Sequence, residues 1–486
     1  NADSVINNNA QITMQRINDL TFANLGADTP VYLNFNQNGI TVTGTTTLGA
    51  NTNVITTSFG AAGSNQTILE GQVTTAGAKL IKTGNGSLIF ANETNDFGTI
   101  GVNSLEVWPL SQNTATSTIG SISLTGTPFG VGNINLLPGT MIRLAAAGNI
   151  ASQQVTSNSD AWGFSGVSIG YNNNGVALTQ ADILNLLTTT GAANGKVQLN
   201  FTGDTLGIIS LDNAWQYGAL NIGAMETALN SSGGPVEHIW LGSSTNSFQN
   251  QIYFAPTLGA STDSVYRFGA GGNQGTMQIG AAAFENVLTG ANTVQVGAMV
   301  GSNAYDNQSV INGNFNLNLN TRNNYSGNTY ANRGSTLVIG NNFALGTGTL
   351  VVNHTSNTGV NIGQSQEGAV SGGSFSISNN VDLVGDFRTA GTNFVLRGNV
   401  NLAPGGVAGT RTIENTGEMS ILGVISGTGS NLIKTGASAL VLNGANTYTG
   451  TTTLNGAGGL FVGTDVLPNT AGALGNSDTP LLVTTA

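Results

Sequence analysis

The sequence predicts an all-β protein whose short strands stack as the coils of a β-solenoid. Three observations predict this fold: a unit that recurs with fixed glycines, apolar residues that alternate with polar ones in runs too short for helices, and a composition with little charge. The chain has 486 residues and 70 glycines; charged residues make up 7% and hydrophobic residues 39%. Disorder requires low hydrophobicity with high net charge, so this chain is expected to fold.

The clearest repeat is the phrase Leu-Ile-Lys-Thr-Gly, which occurs at Leu80–Gly84 and again at Leu432–Gly436. The two copies are offset by 432 − 80 = 352 positions. Further glycines and apolar residues keep the same offset, namely Leu69/Ile421, Gly71/Gly423, Val73/Ile425, Gly77/Gly429, Leu88/Leu440 and Phe90/Leu442. Apolar residues two apart are typical of a strand with one buried face. The repeat therefore predicts strands stacked in coils.

A second element begins at Asn446 and reads Asn-Thr-Tyr-Thr-Gly. It is echoed by Asn-Asn-Tyr-Ser-Gly from Asn323, and the tyrosines differ by 448 − 325 = 123 positions. One residue of slippage in the first offset places Asn95 and Phe97 opposite Asn446 and Tyr448. A third element, an apolar residue followed by glycine, recurs at Phe129-Gly130, Leu345-Gly346 and Leu474-Gly475.

Read together, the C-terminal copy is L-x-K-T-G-x-x-x-L-x-L-x-G-x-N-T-Y-T-G-x-T, with G-L-x-V-G a few residues on. Over about thirty residues this resembles the passenger-associated repeat of bacterial autotransporters. The resemblance implies an exported passenger segment folded as a right-handed parallel β-helix. It implies a secretion class and says little about a particular activity.

The pattern changes along the chain and predicts three parts. Residues 1–150 form regular N-terminal coils, residues 151–310 form less regular coils with loop or helical insertions, and residues 311–486 form coils with the passenger-type repeats. The best helix candidate follows Thr179 as N-cap, with Asp182 in the first turn and Ile183, Leu184 and Leu187 on one face. A weaker helix is predicted over Gly218–Ser231.

Composition excludes several classes of function. The net charge of −11 and pI near 4.4 leave no basic stripe for nucleic acid. The absence of cysteine excludes disulfides and thiolate metal sites. No apolar run is long enough for a membrane-spanning helix. The first residues lack the features of a signal peptide and the last end within a pattern, so we expect processing or a longer precursor.

Candidate catalytic groups are few. Three carboxylate pairs are closest in sequence: Asp204 with Asp212, Glu226 with Glu237, and Asp382 with Asp386. A glycosidase needs two carboxyl groups at a defined separation, but each of these pairs is more simply explained as solvated loop residues. His238 and His354 are far apart in the sequence, and neither lies at a spacing typical of metal ligands or of a catalytic base. The G-x-S-x-G motif around Ser168 is not followed by a helix, as a nucleophile elbow requires. No catalytic, metal or cofactor site is predicted.

The repeated residues are instead predicted to be structural. Lys82 and Lys434 are expected at coil corners, with the ammonium group in water and the aliphatic stem over the stack. Gly84 and Gly436 are expected to form the corners themselves. The tyrosines of the second element are expected to cover the edge of the stack beside a turn glycine, which gives the pairs Tyr325/Gly327 and Tyr448/Gly450.

The sequence therefore predicts a non-enzymatic, exported cell-surface β-solenoid with a structural or adhesive role, without cofactors. Its expected partners are other copies, joined head to tail or laterally, or surface glycans; neither nucleic acid nor a membrane span is expected. Strand edges at the ends of a solenoid attract pairing unless they are capped, so a filament or surface layer is part of this hypothesis. The alternative is a carbohydrate-active enzyme or carbohydrate-binding spike whose site lies in residues 151–300.

Overall fold

We describe the fold from a computed structural model. It describes residues 4–7, 15–22, 31–36, 40–49, 52–58, 66–75, 77–84, 86–97, 103–108, 117–152, 154–159, 165–169, 179–189, 197–201, 205–211, 218–230, 238–243, 252–270, 276–280, 283–297, 315–332, 335–353, 360–364, 375–389, 393–464, 469–476 and 481–484. Within these residues the chain is a parallel β-solenoid with two short α-helices, which confirms the predicted fold class. It divides into two compact units.

The first unit comprises Asn1–Gln251, Gly269–Thr276 and Ala304–Asn314. Its strands are β1 Ser4–Asn7, β2 Gln15–Ile17, β3 Leu20–Thr21, β4 Val31–Asn36, β5 Ile40–Val42, β6 Thr46–Leu48, β7 Asn53–Ser58, β8 Gln66–Leu69, β9 Val73–Thr75, β10 Leu80–Thr83, β11 Ser87–Phe90, β12 Asn103–Val107, β13 Ser117–Ser121, β14 Asn133–Leu136, β15 Thr140–Leu144, β16 Val155–Ser159, β17 Gly166–Ile169, β18 Leu187–Thr189, β19 Val197–Phe201, β20 Thr205–Leu211, β21 Leu220–Asn221 and β22 His238–Ser243. Its helices are α1 Gln180–Leu186 and α2 Ile222–Leu229, with a 3₁₀ turn at Ala147–Asn149.

The second unit comprises Ile252–Phe268, Met277–Asn303 and Phe315–Ala486. Its strands, two of which extend a residue or two past these limits, are β23 Ile252–Tyr253, β24 Leu258–Gly259, β25 Val265–Ala270, β26 Thr276–Ile279, β27 Thr293–Val296, β28 Phe315–Leu319, β29 Thr329–Asn332, β30 Ser335–Ile339, β31 Leu350–Asn353, β32 Val360–Gln364, β33 Phe375–Ile377, β34 Val381–Leu383, β35 Phe387–Thr389, β36 Phe394–Leu396, β37 Val400–Asn401, β38 Thr410–Asn415, β39 Met419–Ile421, β40 Ile425–Ser426, β41 Asn431–Thr435, β42 Leu440–Leu442, β43 Thr452–Asn455, β44 Leu460–Val462 and β45 Leu482–Thr484. A 3₁₀ turn lies at Pro404–Gly406.

In each unit, strands from successive coils pair in parallel. The first unit contains the orders β1-β4-β7-β10-β12-β14-β16-β19-β18, β2-β5-β8-β11-β13-β15-β17-β20-β22 and β3-β6-β9. The second contains β23-β26-β28-β30-β32-β35-β38-β41-β43-β45, β25-β27-β29-β31-β34-β37-β40 and β33-β36-β39-β42-β44. The coils differ in length, because Leu440 pairs with Leu460 whereas Val400 pairs with Ile425.

The core consists of inward-facing rows that run from coil to coil. In the second unit, Ile377, Leu396, Ile421 and Leu442 pair in succession, and all four are buried. In the first unit, Leu33, Ile55, Lys82, Val107 and Leu136 form such a row. Each residue buries its side chain against the neighbouring coils, so stability comes from stacking rather than from any single strand.

The two predicted helices are present. Helix α1 has Thr179 as N-cap, whose side chain accepts from the Asp182 backbone N–H, and the Asp182 carboxylate accepts from the Thr179 backbone N–H at 2.7 Å. This capping box lowers the pKa of Asp182 through hydrogen bonds from Thr179. Helix α1 buries Ile183 and Leu186. Helix α2 lies within the weaker predicted segment.

The predicted division at residues 150 and 310 concerns how regular the coils are, and it stays a prediction. No helix in the described residues has both the length and the apolar character that crossing a membrane requires.

Candidate functional site: buried polar clusters and exposed faces

Lys82 lies in the core. It faces inward from β10 and pairs with Ile55 on one neighbouring coil and Val107 on the other. Its side chain is fully buried. The ammonium group donates to the Gly84 carbonyl at 2.6 Å, to the Gly86 carbonyl, and to the Ser117 hydroxyl at 2.8 Å. All of these acceptors are uncharged.

Lys434 occupies the same place in the second copy. It faces inward from β41 between Ile413 and Leu454, and its side chain is buried. Its ammonium group donates to the Thr435 carbonyl at 2.5 Å and to the Gly436 carbonyl at 3.0 Å. The ammonium of each lysine thus folds back onto the glycine corner of its own repeat.

The expectation that these lysines hold their ammonium groups in water is therefore wrong. Gly84 and Gly436 have φ of 86° and 88°, as predicted for corners. The Gly436 carbonyl also accepts from the Gly458 N–H of the next coil at 3.1 Å, and both corner carbonyls accept from a lysine. Burial lowers the pKa of Lys82 well below its usual value because water no longer solvates the charged form. Burial also lowers the pKa of Lys434, and the charge of Glu414 opposes this shift.

The asparagine of the second element joins three coils. Asn446 accepts through Oδ1 from the Ile425 N–H at 2.7 Å, and it donates through Nδ2 to the Ala473 carbonyl at 2.8 Å. Ile425 precedes it by one coil and Ala473 follows by one coil. The side chain is fully buried. It therefore satisfies two backbone groups where the coils turn and the strand ladders are interrupted.

The other two copies make the same bridge. Asn323 accepts from the Leu288 N–H at 3.1 Å and donates to the Ala344 carbonyl at 3.0 Å. Asn95 accepts from the Val73 N–H at 2.8 Å and donates to the Pro128 carbonyl at 2.7 Å. Each accepting carbonyl directly precedes the apolar-glycine pair that forms the third repeated element, so the second and third elements are two halves of one contact between successive coils.

The tyrosines are buried as well, which corrects the expectation that they cover the edge of the stack. The Tyr325 hydroxyl shares a hydrogen bond of 2.5 Å with Thr329 Oγ1, and Tyr448 makes the same bond with Thr452. Burial raises the pKa of Tyr448 to about 12 and also raises that of Tyr325. The ring fills the coil interior, and the threonine four residues on satisfies its hydroxyl group.

Gly327 and Gly450 have a different role from the corner glycines. A Cβ at Gly327 would lie 2.4 Å from the Asn292 carbonyl oxygen, and one at Gly450 would lie 2.2 Å from that of Ser430. Glycine at these positions therefore allows the backbones of successive coils to approach closely.

Of the six candidate carboxylates, two accept hydrogen bonds from backbone N–H groups, one accepts from an amide side chain, and three lie outside the described residues. Asp386 accepts from the Thr412 N–H at 2.8 Å, and Asp382 accepts from Asn401 Nδ2 at 3.2 Å. Glu226, on α2, is fully buried and accepts from the Ile239 N–H at 2.8 Å. Asp204, Asp212, Glu237 and His354 lie outside the described residues.

One contact was not predicted from the sequence: His238 Nδ1 lies 3.4 Å from Glu226 Oε2. The two residues are 238 − 226 = 12 positions apart, on a helix and on the strand beneath it, and no spacing rule connects them. Ser168 is buried within β17, and Gly170 lies outside the described residues. Among the described residues, no group of three or more histidine, aspartate or glutamate side chains could hold a metal ion.

Two further groups of residues are exposed. In the second unit, β44 and β45 carry exposed apolar side chains, namely Phe461, Val462, Leu482 and Val483. In the first unit, Trp108 is exposed and its indole Nε1 donates to Glu106 Oε2 at 2.9 Å. The other oxygen of Glu106 lies 2.6 Å from Lys79 Nζ.

Comparisons with protein-family models, curated proteins and solved structures give no match to this chain.

Proposed function

We propose that the chain is a non-enzymatic, exported protein of the bacterial cell surface with a structural or adhesive role. One observation carries the proposal: the lysines, asparagines and tyrosines repeated in its sequence are buried in the coil interior, and the asparagines join one coil to the next. Lys82, Lys434 and Asn446 all direct their polar atoms to backbone groups of the stack or to a buried hydroxyl. Because the repeated residues stabilise the stack of coils, their repetition supports a structural role better than a catalytic one.

The exposed edges of β44 and β45 support self-association. Within the described residues, β45 pairs with β43 and β44 pairs with β42, each on one side. Neither strand contains a charged residue or a proline. Natural edge strands usually carry such residues to prevent pairing with other chains. A second copy of the chain, adding its own strand in parallel, would cover these side chains, and a head-to-tail contact that does not close produces a fibre.

A pair of valine substitutions tests this proposal in the purified chain. Val483 in β45 is 62% exposed, and Val407 beside the 3₁₀ turn is 67% exposed. We expect wild type to form larger species with rising concentration in sedimentation velocity and filaments in electron microscopy. Val483→Lys should abolish both, and Val407→Lys should behave as wild type. Monomeric wild type at high concentration, or equal effects of the two substitutions, would contradict self-association.

The alternative, a polysaccharide-cleaving enzyme, rests on the contact between Glu226 and His238. The Glu226 carboxylate is buried and bonded to the Ile239 backbone, which favours a role in docking α2 onto β22. We expect no release of reducing ends from a panel of acidic and neutral polysaccharides. Release that disappears in Glu226→Gln, with the circular dichroism spectrum preserved, would establish the enzyme instead.

A further inference from the structure

The outward face of four neighbouring strands in the first unit carries an exposed aromatic ring. The strands are β10, β12, β14 and β16, and they pair in parallel in this order. Trp108 follows the last residue of β12 and is 43% exposed. Its backbone N–H donates to the Lys82 carbonyl at 2.8 Å, and its indole N–H is bonded to Glu106. The first bond holds the backbone in the ladder, and the second fixes the orientation of the ring while leaving much of its surface in water.

The charges beside the ring cancel. Glu106 Oε1 lies 2.6 Å from Lys79 Nζ, and the side chains are 10% and 36% exposed. The same carboxylate thus holds both the indole and the ammonium group. The ion pair of Lys79 and Glu106 presents hydrogen-bonding atoms but no net charge. The face therefore has no charge with which to attract a phosphate, a sulfate or a basic peptide.

The next coils continue the face with amides and a hydroxyl. Asn135 pairs with Glu106, and Thr156 pairs with Asn135. Asn158 donates through Nδ2 to Asn135 Oδ1 at 2.6 Å and to the Leu136 carbonyl at 2.9 Å. These three polar side chains are half-buried. In the described part of the chain, the Asn135 amide nitrogen has no hydrogen-bond acceptor, which leaves its N–H groups available to a ligand.

We propose that this face binds an uncharged oligosaccharide. The Trp108 ring would stack on the apolar face of one sugar, while Glu106, Lys79 and Asn135 hydrogen-bond to hydroxyl groups. Outward residues on successive coils are about 4.8 Å apart, a spacing close to the length of one pyranose unit in an extended glycan. The inference deepens the adhesive part of the proposed function and rests on it, because it names the class of molecule to which the protein would adhere.

The test uses the full chain and a matched aromatic control. Tyr32, on β4 of the same sheet, is 44% exposed, almost the same as Trp108. Affinity electrophoresis through glucans, mannan and galactan would find a ligand, and titration calorimetry with its trisaccharide would give the affinity. We expect Trp108→Ala to weaken binding roughly tenfold or more, as for a central aromatic anchor. Tyr32→Ala should change the affinity less than about twofold, because Tyr32 lies three coils from Glu106 on the side away from Asn135, beyond a trisaccharide that covers Trp108 and Asn135.

Three outcomes would overturn the inference: no retention by any uncharged polysaccharide, retention only by sulfated or uronic polysaccharides, or equal binding by wild type and Trp108→Ala. Sedimentation velocity on the same variants separates this inference from the proposed self-association. If self-association holds and glycan binding fails, only the site on this face is wrong. If binding holds and wild type stays monomeric, only self-association is wrong.

Discussion

The two copies of Leu-Ile-Lys-Thr-Gly build the same corner in different surroundings. Lys82 reaches two glycine carbonyls and the Ser117 hydroxyl, whereas Lys434 reaches the carbonyls of its own two following residues. Glu414 acts on Lys434 through its charge, while the three acceptors of Lys82 are neutral. The shared part is a lysine whose ammonium group closes a glycine corner, and the difference lies in what surrounds that group.

This difference indicates which interactions the repeat requires. A corner carbonyl that turns inward needs a donor, and either lysine provides one without help from a carboxylate contact. The uncharged surroundings of Lys82 make its protonated form more costly than that of Lys434. The two copies should therefore respond differently to the loss of the lysine and to pH, and alike to the loss of the asparagine that follows in both.

The largest effect is expected from Asn446→Leu and Asn95→Leu. Each substitution leaves one buried N–H and one buried carbonyl without a partner, at about 1–3 kcal/mol for each group. We expect the free energy of local opening to fall by about 4 kcal/mol in both copies. Hydrogen exchange measured by mass spectrometry on the peptides of the adjoining coils would show this. Asn443→Leu, at an exposed position, is the control, and a loss there equal to that of Asn446→Leu would refute the bridging role.

Lys82→Met and Lys434→Met should separate the two copies. Methionine keeps most of the buried volume and removes the donor. We expect a net loss of about 2 kcal/mol for Lys82, because the cost of three unsatisfied acceptors is partly offset by the removal of a buried charge. For Lys434 we expect about 1 kcal/mol, because the Gly436 carbonyl keeps the Gly458 N–H as a donor at 3.1 Å. Protection of β10 and β41 in hydrogen exchange measures both. Arg16→Met, which removes the exposed ion pair of Arg16 with Glu70, should cost less than about 1 kcal/mol. Equal losses in all three variants would mean that the buried bonds contribute nothing specific.

Much of the fold could be predicted from the sequence. Alternating apolar residues, the repeated glycines and the Thr179 capping box are local signals, and parallel strands and α1 lie where those signals placed them. The partners of the strands could not be predicted, because coil length varies even in regular regions: Leu440 pairs with Leu460, but Val400 pairs with Ile425. Because coil length varies, the hydrogen bond from Asn446 to Ala473 on the next coil could not be predicted either.

The repeated lysines and tyrosines point into the coil interior, whereas the sequence predicted them at exposed corners and edges. A lysine is rarely buried without an ionic partner, so an exposed corner was the natural expectation for Lys82. The signal that it is buried was its alternation with Leu80, since both residues occupy inward positions of β10. For Tyr448, the signal was Thr452 four residues on, which recurs as Thr329 after Tyr325. Neither signal was strong enough alone to outweigh the ordinary preference of polar groups for water.

The pH dependence of stability should sharpen the contrast between the lysines. Burial lowers the pKa of Lys82 below that of the unfolded chain, so the unfolded state binds more protons between the two values. Stability linked to this residue therefore rises with pH through that window, up to about pH 10.4. As the pH rises toward about 10.4, the advantage of wild type over Lys82→Met in urea unfolding should grow. The advantage over Lys434→Met should grow less, and equal slopes would contradict the assigned environments.

The smallest effect is expected from Tyr448→Phe, because the first copy already carries Phe97 at the matching position. Phe97 packs edge-on against Phe90, with ring centroids 5.1 Å apart, so the site accepts a ring without a hydroxyl. Tyr448→Phe should therefore cost only about 1 kcal/mol, the net value of one hydrogen bond. Thr452 keeps the Leu474 carbonyl as an acceptor at 3.5 Å, which limits the loss. Tyr448→Ala leaves a large cavity and should cost about 3–5 kcal/mol. If hydrogen exchange of β43 shows Tyr448→Phe to be as damaging as Tyr448→Ala, the hydroxyl group rather than the ring defines this element.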